Sequence, residues 1–140
     1  MTNYVIFDTN IYIDLFRSPH DIDRFATYES RYVTRYSSVV LHELMRGTEN
    51  HAQKTIIYEL VEKISHAIIN PQLSHWIDSG KLLGLLLLER KLTKQKVSLL
   101  QNDILIGCCA ASIGATLITK NRKDFQSIAK LLQIKCEFWD

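Results

Sequence analysis

The stretch Tyr4-Val5-Ile6-Phe7-Asp8-Thr9-Asn10 decides how the chain is read. Four apolar or aromatic residues have the length and composition of a buried strand, and the run stops abruptly at a carboxylate, after which Thr9-Asn10 opens a helix. In an open α/β sheet, ligands bind beyond the carboxyl ends of strands, which is where Asp8 falls. Aspartate is also a good helix cap, so a structural role for Asp8 stands beside a chemical one.

Outward from this stretch the same alternation repeats. Short apolar or β-branched runs at Tyr32–Arg35, Ala67–Ile69, Thr116–Thr119 and Cys136–Phe138 predict four more strands. Helical patterns lie near Ile11–Phe16, Ile22–Tyr28, Val39–Arg46, Ala52–Lys63, Ser74–Lys91, Asn102–Ile113 and Asp124–Leu132. Strands alternating with helices predict an α/β fold with a small, mostly parallel sheet. Only Pro19 and Pro71 occur, and no serine-rich, proline-rich or single-charge tract interrupts the chain. No internal repeat is present either, so residues 1–140 are expected to form a single domain.

Composition narrows the function classes. The chain has 140 residues, 46% hydrophobic and 23% charged, which suits a folded domain and argues against disorder. Its net charge is only +2, so any site for a polyanion must be local. Cys108, Cys109 and Cys136 cannot all pair within one chain and read as reduced, buried small hydrophobes. The start of the chain lacks a basic stretch followed by a long apolar core, which predicts a cytoplasmic rather than a secreted protein. The leucine-rich run Leu82–Leu88 falls well short of the roughly 20 residues that span a bilayer, so no membrane partner is expected. That run has too many apolar positions for one helix face; it predicts burial either wholly in the core or in the core plus a homodimer seam.

Three further positions carry possible chemistry. Glu43, in Val39-Val40-Leu41-His42-Glu43-Leu44-Met45, projects at the edge of an apolar stripe and needs a partner there, for which a structural Arg or Lys such as the neighbouring Arg46 would serve. Asp103 is the only charged residue between Gln101 and Ser112 and is expected to open a central, nearly all-apolar helix, where the helix dipole would favour it. Thr119-Lys120-Asn121-Arg122-Lys123-Asp124 follows a strand and, if that strand runs parallel to the first, lies on the same sheet edge as Asp8. It reads equally as a solvated turn with Asp124 capping the last helix. No phosphate-cradling, dinucleotide or nucleophile-elbow motif is present, and the five histidines lack zinc-site spacing.

Taken as an ordered set, Asp8-Thr9-Asn10, Glu43 in Ser37-Ser38-Val39-Val40-Leu41-His42-Glu43-Leu44, Asp103 before Ile104-Leu105-Ile106, and Thr119 to Phe125 resemble the PIN-domain ribonucleases. Within that family the chain is most similar to the VapC toxins of bacterial toxin–antitoxin pairs, over residues 3 to about 138. The resemblance implies a PIN-like fold with helices on both faces of the sheet, and Asp8, Glu43, Asp103 and Asp124 converging on Mg²⁺ or Mn²⁺. It implies that Asn10 braces Asp8 and that Thr119 and Asn121 orient the cluster. It also implies cleavage of structured RNA, a tRNA or rRNA loop, with a cognate antitoxin and a homodimer as protein partners. Cys108-Cys109 stand where the family often has alanines, a change of packing only. The physical chemistry is consistent: several carboxylates in one pocket repel each other unless hard cations neutralise them. Lys120, Arg122 and Lys123 are candidates for holding flanking phosphates, with solubility of an exposed turn the alternative. Two other readings stay open, a PIN fold that binds RNA or protein without cutting, and an RNA-processing nuclease unconnected to an antitoxin.

Overall fold

The strand that ends at Asp8 becomes the centre of the molecule. In a computed structural model, which describes residues 2–89 and 91–140, β1 (Tyr4–Phe7) lies between β2 (Val33–Ser37) and β4 (Thr116–Thr119). β3 (Ile68–Ile69) and β5 (Lys135–Phe138) form the two edges, giving the order β3-β2-β1-β4-β5 with every pairing parallel. Strands inside a parallel sheet are covered on both faces, which is why β1 and β4 are short runs of buried residues without polar alternation.

The register Val5↔Thr116, Ile6↔Leu117 and Phe7↔Ile118 sorts the core into two layers. Ile6 and Leu117 pack with residues of α3 (Ser38–Arg46), α4 (His51–Ile64), α5 (Leu73–Leu88), α6 (Lys94–Ile113) and α7 (Arg122–Leu132), including Val40, Ile57, Leu83, Leu105 and Phe125. Val5, Phe7 and Ile118 join Ile11 of α1 (Thr9–Arg17) and Trp139, with Phe25 and Tyr28 of α2 (Ile22–Arg31) packed against them. Helices therefore cover both faces, as expected. Among the described residues no helix is long and apolar enough to cross a membrane. The cysteines are free, and Cys108 and Cys109 are buried in the first layer.

Three expectations are corrected. α6 begins at Lys94, capped by the Thr93 hydroxyl, so Asp103 is its tenth residue rather than its opening one. The helix dipole argument for Asp103 therefore fails, because the effect is confined to the first turn. α5 ends at Leu88 instead of Lys91; Arg90 lies outside the described residues. β2 also runs on to Ser37, whose hydroxyl accepts the Val39 N–H and starts α3 without a loop. Other boundaries agree within a few residues.

Candidate active site

The carboxyl ends of β1 and β4 are adjacent, and each delivers a polar side chain to the same point. Asp8 is the residue after β1, almost fully buried, and its Oδ1 accepts the Thr9 N–H at 2.7 Å. Thr119, the last residue of β4 and fully buried, donates its hydroxyl to Asp8 Oδ2 at 2.7 Å. Asn10, in the first turn of α1, points its amide nitrogen at both Asp8 Oδ2 and Thr119 Oγ1, each at 3.3 Å. Its amide oxygen accepts the Lys120 N–H at 3.2 Å, so the orientation of the Asn10 amide is fixed from both ends. Asp8 thus caps a helix and anchors a network at once; its two readings are not exclusive.

The other three acids attach to this pair through neutral side chains. The Thr9 hydroxyl donates to Glu43 Oε1 at 2.7 Å, joining α1 to α3. Glu43 also meets Arg46 at 3.7 Å, a loose contact to a guanidinium that is 64% exposed. The Asn121 N–H donates to Thr119 Oγ1 at 3.0 Å, and its side-chain amide spans Asp103 Oδ2 at 3.3 Å and Asp124 Oδ2 at 3.1 Å. Asn121, not Asp124, caps α7; Asp124 sits one turn in, with its N–H on Asn121 Oδ1 at 3.4 Å. Asp8, Glu43, Asp103 and Asp124 are therefore linked by hydrogen bonds through Thr9, Asn10, Thr119 and Asn121. All seven residues singled out as site and supporting positions belong to one network.

Electrostatics mark Asp103 as the strained member. Burial, followed by repulsion from Asp8, Glu43 and Asp124, pushes its carboxyl up to about 7, against the pull of Lys96. Burial also raises Asp8, assisted by Glu43 and opposed by the hydrogen bonds from Thr119 and Thr9. Asp124 moves the other way: partial burial pushes it up, but hydrogen bonds from Asn121 and Lys96 and the positive charges of Lys96 and Lys123 outweigh it.

Lys96 was not legible as a site residue. Its Nζ lies 3.1 Å from Asp124 Oδ1 and 3.3 Å from Oδ2. The signal was its spacing of seven from Asp103, two turns along one helix face, which the late start assigned to α6 concealed. Thr9 was also missed as a partner of Glu43. The cations of the β4–α7 turn are largely committed elsewhere. Lys120 Nζ pairs with Asp21 at 2.7 Å and Asp14 at 2.9 Å, and Arg122 pairs with Asp140 at 3.3 Å while covering the Phe138 ring. Two of the three candidates for phosphate contacts thus carry their own counter-ions, leaving Lys123 exposed on the first turn of α7.

Among the described residues, no three acidic, histidine or cysteine side chains are gathered tightly enough to ligate one ion as they are placed. The donor chemistry is nonetheless that of a hard cation, with carboxylate, hydroxyl and amide oxygens and no imidazole or thiolate. Burial first, and then the like charges of Asp8, Glu43 and Asp124, raise the Asp103 carboxyl.

The chain has counterparts among known proteins. The PIN domain family profile matches residues 5–131. The chain belongs to the PIN-domain family. No curated protein matches this chain in sequence. Among solved structures it is similar to VapBC-1 from nontypeable Haemophilus influenzae, with 26% identity, a TM-score of 0.68 and coverage of 97% of this chain and 98% of the other. VapBC2 from Rickettsia felis, bound to a DNA fragment from its promoter, matches at 24% identity and a TM-score of 0.66, over 98% and 99% of the two chains. VapBC-5 from Mycobacterium tuberculosis, of the VapBC family of toxin-antitoxin systems, shares the fold at 15% identity and a TM-score of 0.57, over 97% and 98%.

Proposed function

We propose that this PIN domain is a divalent-metal-dependent endoribonuclease acting as the toxin of a bacterial toxin–antitoxin pair. The observation that carries the reading is the bridged set of four acids at the carboxyl ends of β1 and β4. Its similarity to VapBC structures supports the toxin assignment. Asp8, Glu43 and Asp103 would hold Mg²⁺ or Mn²⁺, with Asp124 as a further ligand or the positioner of the attacking water. When bound, such ions activate water, engage the scissile phosphate and stabilise the leaving oxygen.

The chain's own residues do the positioning. Thr9, Asn10 and Thr119 fix both oxygens of Asp8, so that carboxylate is preorganised before any ligand arrives. Thr9 holds Glu43 in the same way, and Asn121 fixes the separation of Asp103 from Asp124. The substrate is structured RNA, a tRNA or rRNA loop whose unpaired bases and backbone are accessible. Lys123 is the turn cation best placed to meet a flanking phosphate.

A cleft of about 460 Å³ beside Glu43 supports an antitoxin partner. Ile13, Phe16, Leu44, Ile56 and Ile57 line it, and Phe16 and Ile56 are 70% and 57% exposed. An apolar groove of this kind suits an amphipathic helix, and a basic side chain beyond it would meet the acids. The cytoplasm is the expected compartment and a homodimer the expected assembly. The test is RNA cleavage by purified protein with Mg²⁺ or Mn²⁺, with EDTA, and with Asp103→Asn. Cleavage should need the ion and vanish in the variant while its circular dichroism stays that of the wild type. Equal cleavage at the same positions in EDTA, or by the variant, overturns the reading.

A further inference from the structure

Among the described residues, Lys96, on the same helix as Asp103, is the cation that lies within hydrogen-bonding distance of the acid network. It approaches both oxygens of Asp124, and Asn121 takes Oδ2 as well, so the fourth acid is already engaged on both oxygens. The Lys96 side chain is 34% exposed and that of Asp124 18%, which makes the pair more sheltered than an ordinary surface contact. The other acids differ: Asp8, Asp103 and Glu43 are held by neutral donors, apart from the loose Arg46 contact to Glu43.

We propose that Lys96 is the resident counter-ion of the site, competing with a divalent cation for Asp124 and thereby setting how tightly the site binds metal. The inference rests on the metal-site reading above. A lysine ammonium is a compact point charge on a flexible stem, so it can leave Asp124 by rotating its side chain, with no change in the backbone of α6. While it stays, Asp124 is withheld from direct ligation and is held beside Asn121, where it can order a water. Lys96 is thus a positioning residue, and its effect should be visible in metal binding without any substrate.

Titration of the metal-free protein with Mn²⁺ alone, followed by calorimetry, tests this. Lys96→Gln should bind Mn²⁺ about fivefold more tightly than wild type, the equivalent of removing one partly sheltered ion pair from the competition. Lys96→Arg, which keeps the charge, should bind as wild type does. The gain should disappear in the double variant Lys96→Gln with Asp124→Asn, because the freed carboxylate is its source. Unchanged or weaker binding by Lys96→Gln overturns the proposal, and so does a gain that persists without Asp124, which would make Lys96 a general field only. Wild-type protein with no Mn²⁺ binding sensitive to Asp103→Asn overturns the metal site itself.

Discussion

At the scale of single residues, Asp103 carries a cost that its neighbours impose. An isolated aspartate titrates near 3.8, whereas burial and three surrounding acids push Asp103 up to about 7. The folded state therefore holds this proton more tightly than the unfolded one, so stability falls as pH rises from about 4 to about 7 and then levels off. At 1.36 kcal/mol per unit the loss is on the order of 4 kcal/mol. Asp103→Asn keeps the shape without the charge, and should raise the melting temperature of metal-free protein by roughly 5 °C or more at pH 8, with the gain gone at pH 4. Thermal melts of both proteins across that range check it. Asp124 is not strained in this way, because Lys96 and Asn121 hold it. Asp124→Asn should therefore reduce the cleavage rate less than Asp103→Asn does, roughly tenfold against a hundredfold or more, as expected for a supporting group against a ligand. Rates measured over a Mn²⁺ titration decide the ranking, and equal loss at every concentration would make Asp124 a primary ligand. Asp8, Glu43 and Asp103 were legible as candidates because carboxylates at strand ends and on apolar helix faces are conspicuous, whereas Asp124 read first as a helix cap and joined them only through the ordered set. Lys96 was not, since a lysine in a polar stretch looks like any solvated charge.

Among the elements, α6 was the hardest to read and matters most. Its first half, Lys94-Gln95-Lys96-Val97-Ser98-Leu99-Leu100-Gln101, is mixed and largely exposed, so only the apolar second half announced a helix. Periodicity measures burial on one face, and a helix that leaves the core halfway along loses that signal. The buried half packs against α7 through Gly107, where an added Cβ would come within 2.7 Å of Leu132 and 3.3 Å of Ile128. Gly107→Val should destabilise the protein by about 2 kcal/mol, since overpacking exceeds any gain in helix propensity. Urea unfolding measures this, and an unchanged midpoint would mean that α7 yields freely. α5 shows the opposite arrangement. Ser79 and Leu83 face the core, while Leu73, Ile77, Leu85 and Leu88, on the other side, are 48–80% exposed. The leucine run therefore lies only partly in the core. If this stripe is the seam of a homodimer, Ile77→Asp with Leu88→Asp should convert a dimer to a monomer in light scattering without lowering helicity. A wild-type monomer, or a variant dimer of the same affinity, removes α5 from the interface.

Across the whole molecule, the sequence announced its strands but not their order. Nothing local tells β1 to lie between β2 and β4; only the assembled sheet does, through pairings such as Val5↔Thr34 and Val5↔Thr116. Both inner neighbours run parallel to β1, as the helical segments between the strands allow, and this brings the end of β4 beside Asp8. The decisive hydrogen bond, Thr119 to Asp8, closes over 111 residues of chain. That separation has a consequence in time. During synthesis the chain emerges from its beginning, so Asp8, Glu43 and even Asp103 leave the ribosome before the strand that completes their setting exists. Until β4 and α7 have emerged, β1 lacks one of its two neighbours and Asp8 lacks its hydroxyl donor. On the proposed reading, the site of a growing chain stays incomplete until β4 and α7 have emerged.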